Sequence, residues 1–175
     1  MSRSLTFARN ILFDSAGKSK GIQYDNILGL ADTGVPLSMS LWGKKLEGVA
    51  NSQQMIFIDQ TAGDADSGGM ELYQDTAAAS GVIVCRIKGT GIAQATSSGS
   101  LLEQGSDWVH IGVSWGGTLG TDPIYLYIDG DKITGSAGSG TRDDSSGSHS
   151  IGGRESTQNR GFGGLIAGAA RWRRA

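Results

Sequence analysis

The chain has 175 residues, enough for one domain with a substantial core. Its 29 glycines against 2 prolines, with no long segment of helical periodicity, argue against a helical architecture and for short strands joined by turns. A formal net charge of −2 excludes a general electrostatic attraction to nucleic acid, and a single cysteine excludes an internal disulfide.

Taken in chain order, residues 5–7, 11–13 and 21–26 read as short strands, the first two and the third separated by the turn residues Asp14, Ser15, Gly17 and Lys18. Residues 37–44 alternate clearly, with Met39 and Leu41 on one side and Ser38, Ser40 and Trp42 on the other. Residues 55–58 form a continuous apolar run, as expected of a central strand covered on both faces. A loop over 61–69 follows, carrying Asp64 and Asp66; strands are then expected at 70–74 and 81–88, the latter in a hairpin with 91–96. Cys85 shares a strand side with Ile83 and Ile87 and reads as a small buried hydrophobe. The polar stretch 97–107 contains a candidate single helical turn at 101–104.

The clearest pattern lies at 108–130. Val109, Ile111, Val113 and Trp115 alternate with Trp108, His110, Gly112 and Ser114, and Ile124, Leu126 and Ile128 alternate with Tyr125 and Tyr127. Asp129-Gly130 supplies a tight hairpin turn into a short strand at 132–134. Residues 135–148 are a low-complexity Gly/Ser loop, too poor in apolar groups to pack and expected to be mobile, with Asp143 and Asp144 inside it. Strands at 150–153 and 165–172 close the chain.

These segments, in this order, resemble the concanavalin A-like lectin/glucanase superfamily, in particular its laminin-G-like and pentraxin-like modules. The residues that carry the likeness are the strand Leu-Ser-Met-Ser-Leu-Trp42-Gly-Lys44, the strand Trp108-Val-His110-Ile-Gly-Val113, the hairpin Tyr125-Leu-Tyr-Ile-Asp129-Gly130, and Ile151-Gly-Gly followed by Phe162-Gly-Gly164-Leu-Ile166 and Trp172-Arg-Arg174-Ala175. The resemblance implies an all-β fold, a two-sheet antiparallel jelly-roll sandwich, over residues 1–175 as a single domain with short terminal arms. Pairing of the first and last segments would protect sheet edges. Two departures bear on function: Ala167 and Gly168 stand where the family often has an Asp-Glu pair, and Val109 replaces the first histidine of its Trp-His-His.

Catalysis finds little support. Glycoside cleavage needs two carboxylates held roughly 5–10 Å apart, and none of Glu47, Glu71, Glu103 and Glu155 begins the family's acidic pattern. Glu71 with Asp75 comes nearest, at the two ends of a short strand. Ser114 and His110 share a strand side, with Asp107 or Asp129 in reach, but without a nucleophile elbow; His110 reads as a structural side chain hydrogen-bonded on the sheet. The chain is therefore expected not to be an enzyme and to need no cofactor, a degenerate glycoside hydrolase being the weakest alternative.

Two other functions stay open. The first is a structural or interaction module, the kind that recurs in phage structural proteins: a capsid decoration, fibre or tail component that docks on other virion or scaffold chains and assembles as a homo-oligomer. Arg171, Trp172, Arg173 and Arg174 form the one basic cluster, read as a solvated tail or as a docking element together with an N-terminal arm at 3–7. The second is a carbohydrate-binding lectin for a cell-surface glycan, with Trp42, Tyr125 and Tyr127 as stacking residues on faces opposite the aliphatic ones. Calcium could assist through Asp64 with Asp66 or Asp143 with Asp144, since it takes loop oxygens as ligands. Neither a signal peptide nor a membrane span is evident, so the expectation is a soluble protein, located in the virion if the phage reading holds.

Overall fold

The computed structural model describes residues 4–6, 11–13, 22–24, 35–46, 53–59, 69–75, 81–99, 101–103, 105–142, 149–153 and 161–173. Among the described residues thirteen strands run in chain order: β1 (Ser4–Thr6), β2 (Ile11–Phe13), β3 (Ile22–Tyr24), β4 (Leu37–Lys45), β5 (Gln53–Asp59), β6 (Gly69–Asp75), β7 (Val82–Lys88), β8 (Ile92–Thr96), β9 (Val109–Trp115), β10 (Tyr125–Ile128), β11 (Asp131–Thr134), β12 (His149–Ile151) and β13 (Gly164–Arg173). They form two antiparallel sheets. One has seven strands in the order β1-β13-β4-β9-β10-β11, with β2 also on β13; the other has six, ordered β3-β12-β5-β6-β7-β8. This is the jelly-roll sandwich expected from the sequence. Among the described residues no helix is long and apolar enough to cross a membrane.

The core follows from the alternation. Leu37, Met39 and Leu41 of β4, Ile111 and Val113 of β9, and Leu126 of β10 point from the seven-stranded sheet toward Met70, Leu72, Ile83, Cys85 and Ile87 of the other. Each large apolar side chain so buried contributes about 1.5–3 kcal/mol. Cys85 is fully buried, and burial pushes its thiol well above the ordinary range, so it behaves as packing and not as a nucleophile. The apolar run in β5 has a cause of its own: Ile56 and Phe57, adjacent in sequence, both enter the same core because the β5–β6 register shifts between Met55 and Phe57.

The terminal strands are part of the sheet. Ser4 pairs with Trp172 and Thr6 with Ala170, while β2 continues along the same edge opposite residues 164–166. The N-terminal docking arm expected at 3–7 is thus, at 4–6, a strand paired to β13; Arg3 and Phe7 lie outside the described residues. The basic cluster needs a like correction at Arg171. It pairs with the inward Met39, is 3% exposed, and carries its guanidinium 5.3 Å from the Phe57 ring centroid, between the sheets. It is neither a solvated tail residue nor a surface available for docking. Trp172 faces outward opposite Ser38, the backbone of Arg173 pairs with Leu37, and Arg174 lies outside the described residues.

Two loop expectations also change. Residues 101–103 form no helical turn; Leu102 enters the core and its carbonyl accepts a 2.5 Å hydrogen bond from Gln74 Nε2. The Gly/Ser stretch is pinned over 135–142. Ser136 N–H donates to Gln94 O, Gly120 N–H to Ala137 O and Thr90 N–H to Thr141 O, and Arg142 is buried with its guanidinium 5.6 Å from the Trp115 ring centroid. The segment lies along β8, bonding the backbone of an edge strand that would otherwise stand open.

Candidate functional site

The outward side of the seven-stranded sheet gathers the aromatic candidates. Because β4, β9 and β10 are in antiparallel register, parity fixes which residues meet there. Trp42 stands opposite His110 on one side and Ala167 on the other; Ser40 stands opposite Gly112, and Gly112 opposite Tyr127; Ser38 stands opposite Ser114, and Ser114 opposite Tyr125. Trp42, Tyr125 and Tyr127 therefore share one face, as the strand alternation implied.

The face has two ends. At one, the Trp42 indole is 45% exposed and lies 4.9 Å from the His110 ring, the planes tilted by 52°. His110 Nε2 is 2.7 Å from Ser40 Oγ, and the His110 backbone N–H donates to Asp129 Oδ1 at 2.8 Å. The imidazole is fixed by the sheet, as expected, but its hydroxyl partner is Ser40 and not Ser114. On the β13 side Trp42 stays open because its neighbours there are small. β13 bulges between Ala167 and Ala170, and Gly168, at φ 57°, would bring a Cβ within 3.6 Å of the indole. The Ala167-Gly168 departure noted in the sequence thus borders the exposed tryptophan.

At the other end the Lys132 ammonium sits 3.7 Å from the Tyr125 ring centroid, a cation–π contact that covers one side of that ring. Tyr127 rests over Gly112, where a Cβ would come within 3.3 Å of its own Cβ, and its hydroxyl is 3.4 Å from Ser114 Oγ. Asp129, at φ 49°, and Gly130, at φ 96°, make the hairpin turn that sets Lys132 beside these rings. His110, Ser40 and Lys132 were not among the binding residues expected from the sequence. Parity could have added His110 and Ser40 to Trp42; the reach of Lys132 to Tyr125 depends on the hairpin register.

The nearest approach to an acid pair does not form an open dyad. Glu71 is buried on the six-stranded sheet and its carboxylate is 3.0 Å from Lys88 Nζ. On the same outward side the Arg86 guanidinium lies 5.1 Å from the centroid of Tyr73, whose phenol burial pushes up to about 12. Asp64, Asp66, Asp143 and Asp144 lie outside the described residues, among which no group of three His, Cys, Asp or Glu side chains is placed to hold a metal ion.

A separate polar cluster sits between the sheets. Lys45, 3% exposed, donates to Gln54 Oε1 and, at 2.8 Å, to Gln74 Oε1. Burial pushes its pKa down from the ordinary 10.5 to about 8. The folded state then holds fewer protons than the unfolded state between these values, so the cost of burying the charge is present in full below about pH 8 and is relieved as pH rises to 10.5. Cys85 and Tyr73 act in the opposite direction at high pH, so the difference between wild type and Lys45→Met isolates the lysine. We expect urea unfolding at pH 7.5, 9 and 10 to show wild type gaining roughly 1–3 kcal/mol relative to Lys45→Met across the series. Parallel profiles would contradict a buried, charge-strained Lys45.

A laminin-G model of the concanavalin A-like lectin/glucanase superfamily matches residues 16–175. The chain belongs to this superfamily. Among solved structures, the superfamily fold is shared with domains LG4-5 of the mouse laminin α1 chain at 16% identity and a TM-score of 0.63, covering 91% of this chain and 40% of that one. The Ruminococcus gnavus IT-sialidase CBM40 bound to α2,3-sialyllactose aligns at 15% identity and a TM-score of 0.58, covering 94% and 90% of the two chains. Domain 4 of AbnA, a GH43 extracellular arabinanase from Geobacillus stearothermophilus in complex with arabinotriose, aligns at 15% identity and 0.59, covering 98% and 82%. At these identities the likeness is one of fold. No curated protein matches the chain by sequence.

Proposed function

We propose that this chain is a non-catalytic carbohydrate-binding module whose platform is the outward face of the seven-stranded sheet. The observation that carries the reading is the Trp42 indole, 45% exposed and braced by His110, on a face that also presents serine hydroxyls, two tyrosines and lysines. A sugar offers an apolar ring face to an aromatic and hydroxyls to polar groups beside it, and this surface supplies both. Two proteins of the same fold, the sialidase CBM40 and the arabinanase domain, are complexed with oligosaccharides, which supports the reading.

The wider role in this reading is adhesion within a larger assembly such as a virion. A shallow site holds one sugar chain weakly, and several copies in a homo-oligomer would raise retention by avidity. Calcium held by Asp64 with Asp66 or Asp143 with Asp144 belongs to the same proposal and is tested by adding chelator.

The test is a glycan array probed with wild type and Trp42→Ala, with calcium and with chelator. Selective binding by wild type is expected, reduced about 10- to 100-fold by the substitution, as for an aromatic anchor at a contact centre. The melting temperature should hold, because Trp42 lies outside the core. A blank array from folded protein, or binding unchanged in Trp42→Ala, would overturn the proposal.

A further inference from the structure

We infer that the platform selects an anionic saccharide, a short sugar chain bearing a carboxylate or sulfate, with Lys132 reading the negative group. The inference rests on the platform reading above and adds the ligand's charge and length.

Charge sign is the first observation. The whole chain carries 17 acidic and 15 basic residues, a slight acidic excess. The outward positions of β4, β9, β10 and β11 nevertheless include Lys44 and Lys132 and no carboxylate. The two acids nearest in sequence lie outside these outward strand positions. Asp129 lies in the turn, where its Oδ1 accepts the His110 N–H, and Asp131 pairs with Ile128, whose side chain enters the core. A surface of one sign on a protein of the other raises the local concentration of oppositely charged ligands.

Placement is the second. Lys132 is in an exposed edge strand, where a lysine ordinarily waves free in water. Here its ammonium is held 3.7 Å from the Tyr125 centroid. The ring fixes the stem and leaves N–H donors directed away from it, toward an incoming acceptor. An ammonium is a point charge with rotatable donors, suited equally to carboxylate and sulfate. With one side of Tyr125 covered, that end of the face favours charge recognition over stacking, while Trp42 at the opposite end is open to an apolar sugar face.

Distance is the third. From Trp42 to Lys132 the register runs across three strand spacings and two residues along them. At about 4.8 Å per strand and 3.4 Å per residue the separation is about 16 Å, which a chain of about three sugars spans and a single ring does not. Ser40, Ser114 and the Tyr127 hydroxyl lie between the two ends as hydrogen-bonding groups for the middle of the chain.

The experiment is calorimetric titration of N-acetyllactosamine oligomers, and of the same oligomers carrying one sulfate or one carboxylated terminal sugar, into wild type, Lys132→Gln, Lys44→Gln and Trp42→Ala. Wild type should bind the charged forms about 10-fold more tightly at low salt, an advantage that shrinks at 0.5 M salt. Lys132→Gln should remove that preference, so that charged and neutral forms bind alike; Lys44→Gln, at the far end, should retain most of it. Equal binding of charged and neutral forms with dependence on Trp42 would overturn this inference and leave the platform standing. Equal loss for both forms in Lys132→Gln would also overturn it, as would a preference that survives that substitution. Binding indifferent to Trp42→Ala would remove the platform itself.

Discussion

Gly138→Ala is expected to lower folding stability by about 3 kcal/mol, an unusually large effect for a position inside a Gly/Ser-rich loop. Gly138 has φ 68°, and a Cβ there would lie 2.6 Å from Ala93 N and from Ile92 C. Both clashing atoms are backbone of β8, so neither can rotate away. The segment could relieve the contact only by lifting from that edge, losing the bonds from Ser136 N–H to Gln94 O and from Thr90 N–H to Thr141 O. Gly99 is the matched control. Its φ is 82° and nothing lies within 4 Å of its added Cβ, so Gly99→Ala should cost only the left-handed backbone term, about 1 kcal/mol. Chemical denaturation of the two variants separates steric closure from backbone preference. Equal losses would mean that residues 135–142 do not seal β8.

Ile111→Ala should cost about 2–5 kcal/mol, the range for a large aliphatic side chain deleted from a packed core. Ile111 is fully buried in the middle of β9, where it stands opposite Leu41 on one neighbouring strand and Ile128 on the other. Its strands are held on both sides by ladder bonds, which limits how far the site can collapse into the void. The contrast with Trp42→Ala is informative. Both substitutions remove a large apolar side chain from adjacent strands of one sheet, yet only the inward one should move the melting temperature appreciably. A comparable loss in both variants would mean that Trp42 supports the fold instead of presenting a surface.

Strand alternation made much of this legible in advance. The runs at 37–44, 108–115 and 124–128 already assign Met39, Ile111 and Leu126 to one side and Trp42, His110 and Tyr127 to the other. Three kinds of information were not local. The destination of Arg171 depends on which strand β13 joins and on the bulge at 167–170. The closeness of Lys132 to Tyr125 depends on the turn register that sets one beside the other. The ordering of 135–142 escaped because poverty in apolar groups reads as inability to pack, whereas here the absence of side chains permits backbone to lie against backbone. The Lys45 cluster was hidden for a related reason: a lysine at the end of an alternating strand reads as a surface residue until glutamines from β5 and β6 are placed against it.

The measurement that tests the central claim most directly is amide chemical-shift mapping of the labelled chain titrated with the best binder from the array. Perturbations should cluster at residues 38–44, 110–114 and 125–132, which meet only through the register of the seven-stranded sheet. Perturbations confined to the six-stranded sheet, around Arg86, Gln94 and Lys88, would contradict the assignment and move the binding surface to the opposite side of the sandwich.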